Sequence, residues 1–129
     1  MKGRNVLVFL GILGVSAAWA QSEKVSFAKT IQPIFVDACA DCHGPKKAKA
    51  KLDLTGEGAY AALVGAASNE WPTMDRVKPG DPEASYLWLK LDHRAPKGDG
   101  MPKGIFFSKR LPDDQLALIK RWIEEGAEK

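Results

Sequence analysis

Cys39 and Cys42 are separated by two residues and followed directly by a histidine, in the run Cys39-Ala40-Asp41-Cys42-His43. Two thiols at i and i+3 project from one side of a single turn, so both can form thioethers along one edge of a porphyrin. A histidine four residues after the first cysteine then lies against the ring face, where its imidazole can ligate iron. The pattern reads as c-type haem attachment, one haem held covalently through Cys39 and Cys42 with His43 on the iron. Three plainer readings compete with it. A redox-active dithiol needs a strand before its cysteines, whereas a helical stripe precedes these. A zinc site drawn from Cys39, Cys42, His43 and His93 would require adjacent side chains at 42 and 43 to converge, although they splay apart. A structural disulfide closing so short a loop constrains little of the unfolded chain.

A haem in an electron carrier usually takes a sixth ligand, and a thioether is the soft donor that favours ferrous iron and raises the potential. Met101, Met74 and His93 are the candidates. Met101 lies in Gly98-Asp99-Gly100-Met101-Pro102, where the glycines permit a close loop and Pro102 fixes its direction. A methionine is often core filler, but one isolated among Gly, Pro and Lys has no apolar face to fill. Met101 is favoured on this ground; His93, Met74 and an open sixth position stay as alternatives.

The elements that must position these residues follow from periodicity. Phe27, Ile31, Ile34, Phe35 and Ala38 recur at helical spacing and lead into Cys39, with Pro33 either delaying the helix to about Thr30 or kinking it. Residues 44–58 turn to Gly, Pro and Lys and read as a loop anchored by Leu52 and Leu54. A short helix over Ala59 to Val64 is closed by Gly65, and 66–80 is irregular, with Trp71 expected to pin it to the core. Asp81-Pro82-Glu83 signals a helix start running to about Leu91, with Ala84, Leu87, Trp88 and Leu91 as its buried stripe. A loop over 93–109 follows, then a helix from about Pro112 to Gly126 burying Leu116, Ile119, Trp122 and Ile123. No run alternates well enough to be a strand. The fold class expected is all-α, a small helical domain wrapped around one haem.

Lys2 and Arg4 precede an apolar or small stretch from Val6 to Ala18, and Ala18-Trp19-Ala20 is a small-x-small cleavage site. Residues 1–20 therefore read as a cleaved signal peptide and 21–129 as the mature domain, beginning at Gln21. The apolar run is too short to span roughly 30 Å of hydrocarbon, so no stable membrane anchor is expected, and the location expected is the periplasm, where c-type attachment takes place. Removing Lys2 and Arg4 lowers the net charge of +3 to +1, which excludes a general binder of nucleic acid or other polyanions. A domain this small often needs a cofactor to complete its core.

Several segments together resemble a known family. Ile31-Gln32-Pro33-Ile34-Phe35 ahead of Cys39-Ala40-Asp41-Cys42-His43-Gly44, Leu52-Asp53-Leu54, Lys78-Pro79-Gly80-Asp81-Pro82-Glu83 with Ser85 and Leu87, Met101-Pro102, and Trp122-Ile123 with Gly126-Ala127 look like the planctomycete-type c-type cytochrome domain. The likeness covers nearly all of the mature chain, and the chain departs from the pattern at Lys103, where a second proline is common. The resemblance implies a monohaem, all-helical cytochrome c fold with His43 as proximal and Met101 as distal iron ligand, in which the first and last helices cross with Phe27 or Ile31 near Ile119 and Trp122.

The expected function is electron transfer by a periplasmic monomer that performs no bond chemistry on a substrate. The alternatives are a haem-bearing subunit of a larger periplasmic oxidoreductase and a haem enzyme or gas sensor with a labile sixth ligand. Lys46, Lys47, Lys49 and Lys51 follow the haem motif, and Lys97 and Lys103 flank Met101. They can rim the haem edge as a docking surface for an acidic redox partner, although a solvated loop is the plainer reading and carries more weight. One prediction follows from the attachment motif. Intact-mass measurement of the exported protein should give the chain from Gln21 plus one haem, and Cys39→Ala or Cys42→Ala should leave a single thioether or a labile haem; a bare-chain mass would refute the attachment.

Overall fold

Pro33 has no N–H to offer the Lys29 carbonyl, and the chain accommodates this with a wide turn. In the computed structural model, which describes residues 22–104 and 109–129, Phe27–Ile31 form a π-helical turn that runs directly into α1, Gln32–Cys39. The amides of Ile31 and Gln32 reach back five residues, to the carbonyls of Ser26 and Phe27. Of the expected face, Phe27, Ile31, Ile34 and Phe35 are in the core and Ala38 is half-buried. The signal peptide expected over residues 1–20 and the new terminus at Gln21 lie outside the described residues.

After α1 the chain makes a two-residue hairpin, β1 (His43–Gly44) antiparallel to β2 (Lys47–Ala48), with His43 opposite Ala48. No strand was expected here, because two residues per strand leave no alternation to read. A 3₁₀ turn over Lys49–Lys51 follows, and Leu52 and Leu54 enter the core as expected. The short helix α2 (Ala59–Leu63) stops at Val64, one residue before Gly65.

Trp71 does not pin the next loop: it is 36% exposed. Main-chain bridges hold the segment instead, pairing Val64 with Val77 and Ala67 with Asp75. The same bridges change the start of α3. Asp81 accepts from the Ala84 amide at 3.0 Å, as a helix cap would. Yet Ser85 is extended and bridged to Asp75, and the Tyr86 and Leu87 amides donate to Asp75 and Arg76. The helix therefore begins at Tyr86 and ends at Leu91, burying Tyr86, Trp88, Lys90 and Leu91, while Ala84 and Leu87 are only half-buried.

α4 (Asp113–Glu124) buries Leu116, Ile119, Trp122 and Ile123, the four residues expected. It packs across the N-terminal turn, with the Phe27 ring 5.4 Å from both Tyr60 and Trp122. Around this aromatic contact the termini are tied by hydrogen bonds. Val25 N–H donates to Glu125 at 2.8 Å, Tyr60 O–H to the Ala127 carbonyl at 2.9 Å and the Trp122 indole to the Glu128 carbonyl at 2.7 Å. Among the described residues no helix is long and apolar enough to cross a membrane.

These ties make stability depend on acid. The Val25 amide, and after it Arg121, hold the Glu125 carboxyl below its ordinary value, and Arg94 followed by Arg110 does the same for Asp92. A depressed carboxyl contributes stability that is complete above its unfolded value, about 4, and lost as pH falls through the folded value. The melting temperature should therefore hold from pH 7 down to about pH 4 and fall below it, and Glu125→Gln should lower the plateau and flatten the acid limb; an acid limb unchanged in that variant would refute the assignment.

Candidate functional site

The helix that delivers Cys39 continues as a turn, with Cys42 N–H bonded to the Cys39 carbonyl at 3.1 Å, and the chain enters β1 at His43. This tight exit requires Gly44, because a Cβ there would stand 2.4 Å from the Ala40 carbonyl oxygen, a main-chain atom that cannot move aside. The hairpin and the 3₁₀ turn bring two carbonyls to the His43 ring, Lys49 O at 3.0 Å and Leu52 O at 3.3 Å from Nδ1. Carbonyls only accept, so Nδ1 carries the proton and Nε2 keeps its lone pair for a metal.

Cys39 and Cys42 are both half-buried, unbridged thiols. Burial, and after it the neighbouring Cys42, pushes the Cys39 thiol up to about 11. A redox-active dithiol needs a depressed value to supply thiolate at neutral pH, so the environment disfavours that reading. The zinc reading fails on geometry. Among the described residues no three or more His, Cys, Asp or Glu side chains are grouped to hold a metal ion.

Cys39, His43 and Met101 all line one apolar cleft of about 660 Å³, counting its open mouth, together with Leu52, Leu54 and Leu63. Its predominantly apolar lining, with a few polar groups converging on it, is that of a cofactor site. Cys42 sits beside this cleft rather than in its lining. The other two sixth-ligand candidates are elsewhere. Met74 does not line the cleft, and His93 is exposed, its Nε2 donating to the Met101 carbonyl at 3.1 Å. His93 thus touches the Met101 loop from the solvent side.

Inside the cleft lie residues that periodicity did not single out. Lys90 is buried on α3, forms an ion pair with Glu70, and accepts at its carbonyl from the Met101 amide at 2.9 Å. Tyr86 O–H lies 2.8 Å from the same Glu70 carboxylate. Burial opposes ionisation of Glu70, but hydrogen bonds from Lys90 and Tyr86 outweigh it and the carboxyl titrates below its ordinary value. A sequence signal for Lys90 exists only in its flanks, since it stands between Leu89 and Leu91 in a six-residue helix. Lys46, Lys47, Lys49 and Lys51 are all exposed around the hairpin, and Lys103 is ion-paired to Asp99.

A family model of cytochrome c matches residues 28–127. The chain belongs to the cytochrome c family. Membership brings haem-binding electron-transfer capability and a covalent haem c, and the residues present fit that group: two free thiols one turn apart, an imidazole with its Nε2 unprotonated, and an apolar cleft beside them. The mostly helical fold and the resemblance read from the sequence agree with this membership. A comparison with curated proteins gave no match. Among solved structures, the cytochrome c domain is similar to a chain of the hydrazine synthase of Kuenenia stuttgartiensis, with 26% identity and a TM-score of 0.55. The likeness covers 80% of this chain and 16% of that one, so the domain corresponds to a small part of the longer protein.

Proposed function

We propose that this cytochrome c domain is a periplasmic one-electron carrier with His43 and Met101 as axial ligands and haem attached through Cys39 and Cys42. The observation that carries the reading is the convergence of Cys39, His43 and Met101 on one apolar cleft while Met74 and His93 stay outside its lining. The bound haem would supply a ferric/ferrous couple. The protein's own part is to hold the proximal imidazole by Nδ1, to aim a soft thioether at the other axial position and to keep water from the iron with Leu52, Leu54 and Leu63. The leader read in residues 1–20 supports export to the periplasm. The exposed lysines at 46, 47, 49 and 51 support an acidic redox partner approaching beside the haem motif.

A second reading has its own observation. The hydrazine synthase chain is an enzyme component in which a domain like this one is a small share, which favours service within a larger oxidoreductase. The two readings differ in whether the isolated domain exchanges electrons with a separate partner.

Two outcomes test the proposal. Met101→Ala should abolish the weak sulfur-to-iron charge-transfer band in the far red of the ferric spectrum, lower the potential and open the iron to exogenous ligands, whereas His93→Ala and Met74→Ala should keep the band; persistence of the band in Met101→Ala would move the ligand elsewhere. Electron exchange with a small acidic redox protein should slow as salt shortens the Debye length from ~10 Å at 0.1 M, and Lys46→Glu with Lys47→Glu should slow it about tenfold at low salt. Rates indifferent to both would identify the lysines as an ordinary solvated loop.

A further inference from the structure

Lys90 is 7% exposed on α3, between residues that pack in the core. A buried ammonium is costly unless its donors are used, and here they are. Its Nζ donates to the Lys97 carbonyl at 2.9 Å and to the Asp99 carbonyl at 3.1 Å, pairs with Glu70, and stands 5.3 Å from the centre of the Tyr86 ring. The Tyr86 hydroxyl also reaches the Lys97 carbonyl, at 2.9 Å. With the Met101 amide bonded to the Lys90 carbonyl, residues 97, 99 and 101 are all fixed to one residue of α3.

We infer that Lys90, supported by Glu70 and Tyr86, is a positioning residue that holds the 97–101 loop so that the Met101 sulfur stays in the cleft. The inference rests on the proposed role of Met101 as axial ligand and adds what keeps it there. The loop has no apolar anchor of its own before Met101, since 96–99 are Pro, Lys, Gly and Asp, all exposed. Its inward carbonyls need donors, and an ammonium supplies three from one point where an apolar side chain supplies none. Gly98 shows how closely the loop is laid on the pair. It has φ +71°, and a Cβ there would stand 2.2 Å from Glu70 Oε1 and 2.7 Å from Lys90 Nζ. A side chain at 98 would strain the backbone at that φ and push the Glu70 and Lys90 ends aside.

The test uses ferric holoprotein, with imidazole as the probe of how often the iron is open. Lys90→Met keeps an unbranched side chain one atom shorter and removes every side-chain donor. It should weaken the far-red band and raise imidazole affinity about tenfold, because apparent affinity scales with the open fraction. Tyr86→Phe and Gly98→Ala should shift both readouts in the same direction, and they carry the test if Lys90→Met yields no holoprotein. Ile119→Val, which loosens packing on α4, should lower the melting temperature while leaving the band and imidazole affinity unchanged. Wild-type band and imidazole affinity in the Lys90→Met, Tyr86→Phe and Gly98→Ala variants, with the band lost in Met101→Ala, would overturn the positioning role and leave the ligand assignment standing. A wild type without the band, unchanged in Met101→Ala, would overturn both.

Discussion

Any use of His43 as an iron ligand depends on which ring nitrogen is free to bind, and the bond from its Nδ1–H to the Lys49 carbonyl fixes the ring's orientation and makes Nε2 the nitrogen that carries the lone pair in the neutral ring. Much of the local structure exists to make that bond. The chain must leave α1, reverse through the Pro45-Lys46 turn and return within about one imidazole's reach, which is what the hairpin and the 3₁₀ turn accomplish. The reversal brings Gly44 against the Ala40 carbonyl, so the residue after the histidine cannot carry a Cβ. Leu52 and Leu54 then hold the returning strand in the core, and the Leu54 amide closes the loop by donating to the His43 carbonyl at 2.8 Å.

The cleft needs two walls that do not move relative to one another, and they are supported differently. On the proximal side α1 is locked by aromatic packing of Phe27 against Tyr60 and Trp122, where burial of large rings supplies most of the cohesion. On the distal side the Met101 loop is rich in glycine and poor in apolar side chains, so main-chain hydrogen bonds and one buried charge pair take over. A buried ion pair is seldom the most stabilising way to fill a space, and its value lies in directing groups. That division makes a cleft in which His43 belongs to a helix–hairpin unit and Met101 is presented by a loop.

Free carriage and service within a larger enzyme would use the same cleft, so the surface is the part that decides which role is served. The same cleft geometry suits both. In this chain the lysine-bearing hairpin stands next to the haem motif because the segment that carries His43 is the segment that reverses direction, which places its exposed side chains at the cleft's edge. Fold membership leaves the identity of the partner open, since function resides in the site and surface carried by the fold.

What was legible in the sequence was whatever depends on near neighbours. Cys39, Cys42 and His43 lie within one turn, so their spacing alone carried the chemistry, and the stripes of α1 and α4 were read correctly because a 3.6-residue period is a local property. Met101, favoured in the sequence for its Gly and Pro flanks, lines the same cleft as Cys39 and His43. The errors came where distant segments compete for the same backbone groups. Asp81-Pro82-Glu83 carried every local signal of a helix start, but the amides that would have continued that helix bond to Asp75 and Arg76 instead. Trp71 looked like an anchor by type alone and is exposed. The burial of Lys90 was not read from the sequence, because only the meeting of α3 with Glu70 and the 97–99 carbonyls gives its ammonium enough partners to be buried. The covalent chemistry was therefore set by the sequence on its own, whereas the placement of His43 Nε2 and the hold on Met101 were decided by tertiary contacts, because a hydrogen bond between residues far apart in the chain exists only once the fold has brought its donor and acceptor within about 3 Å.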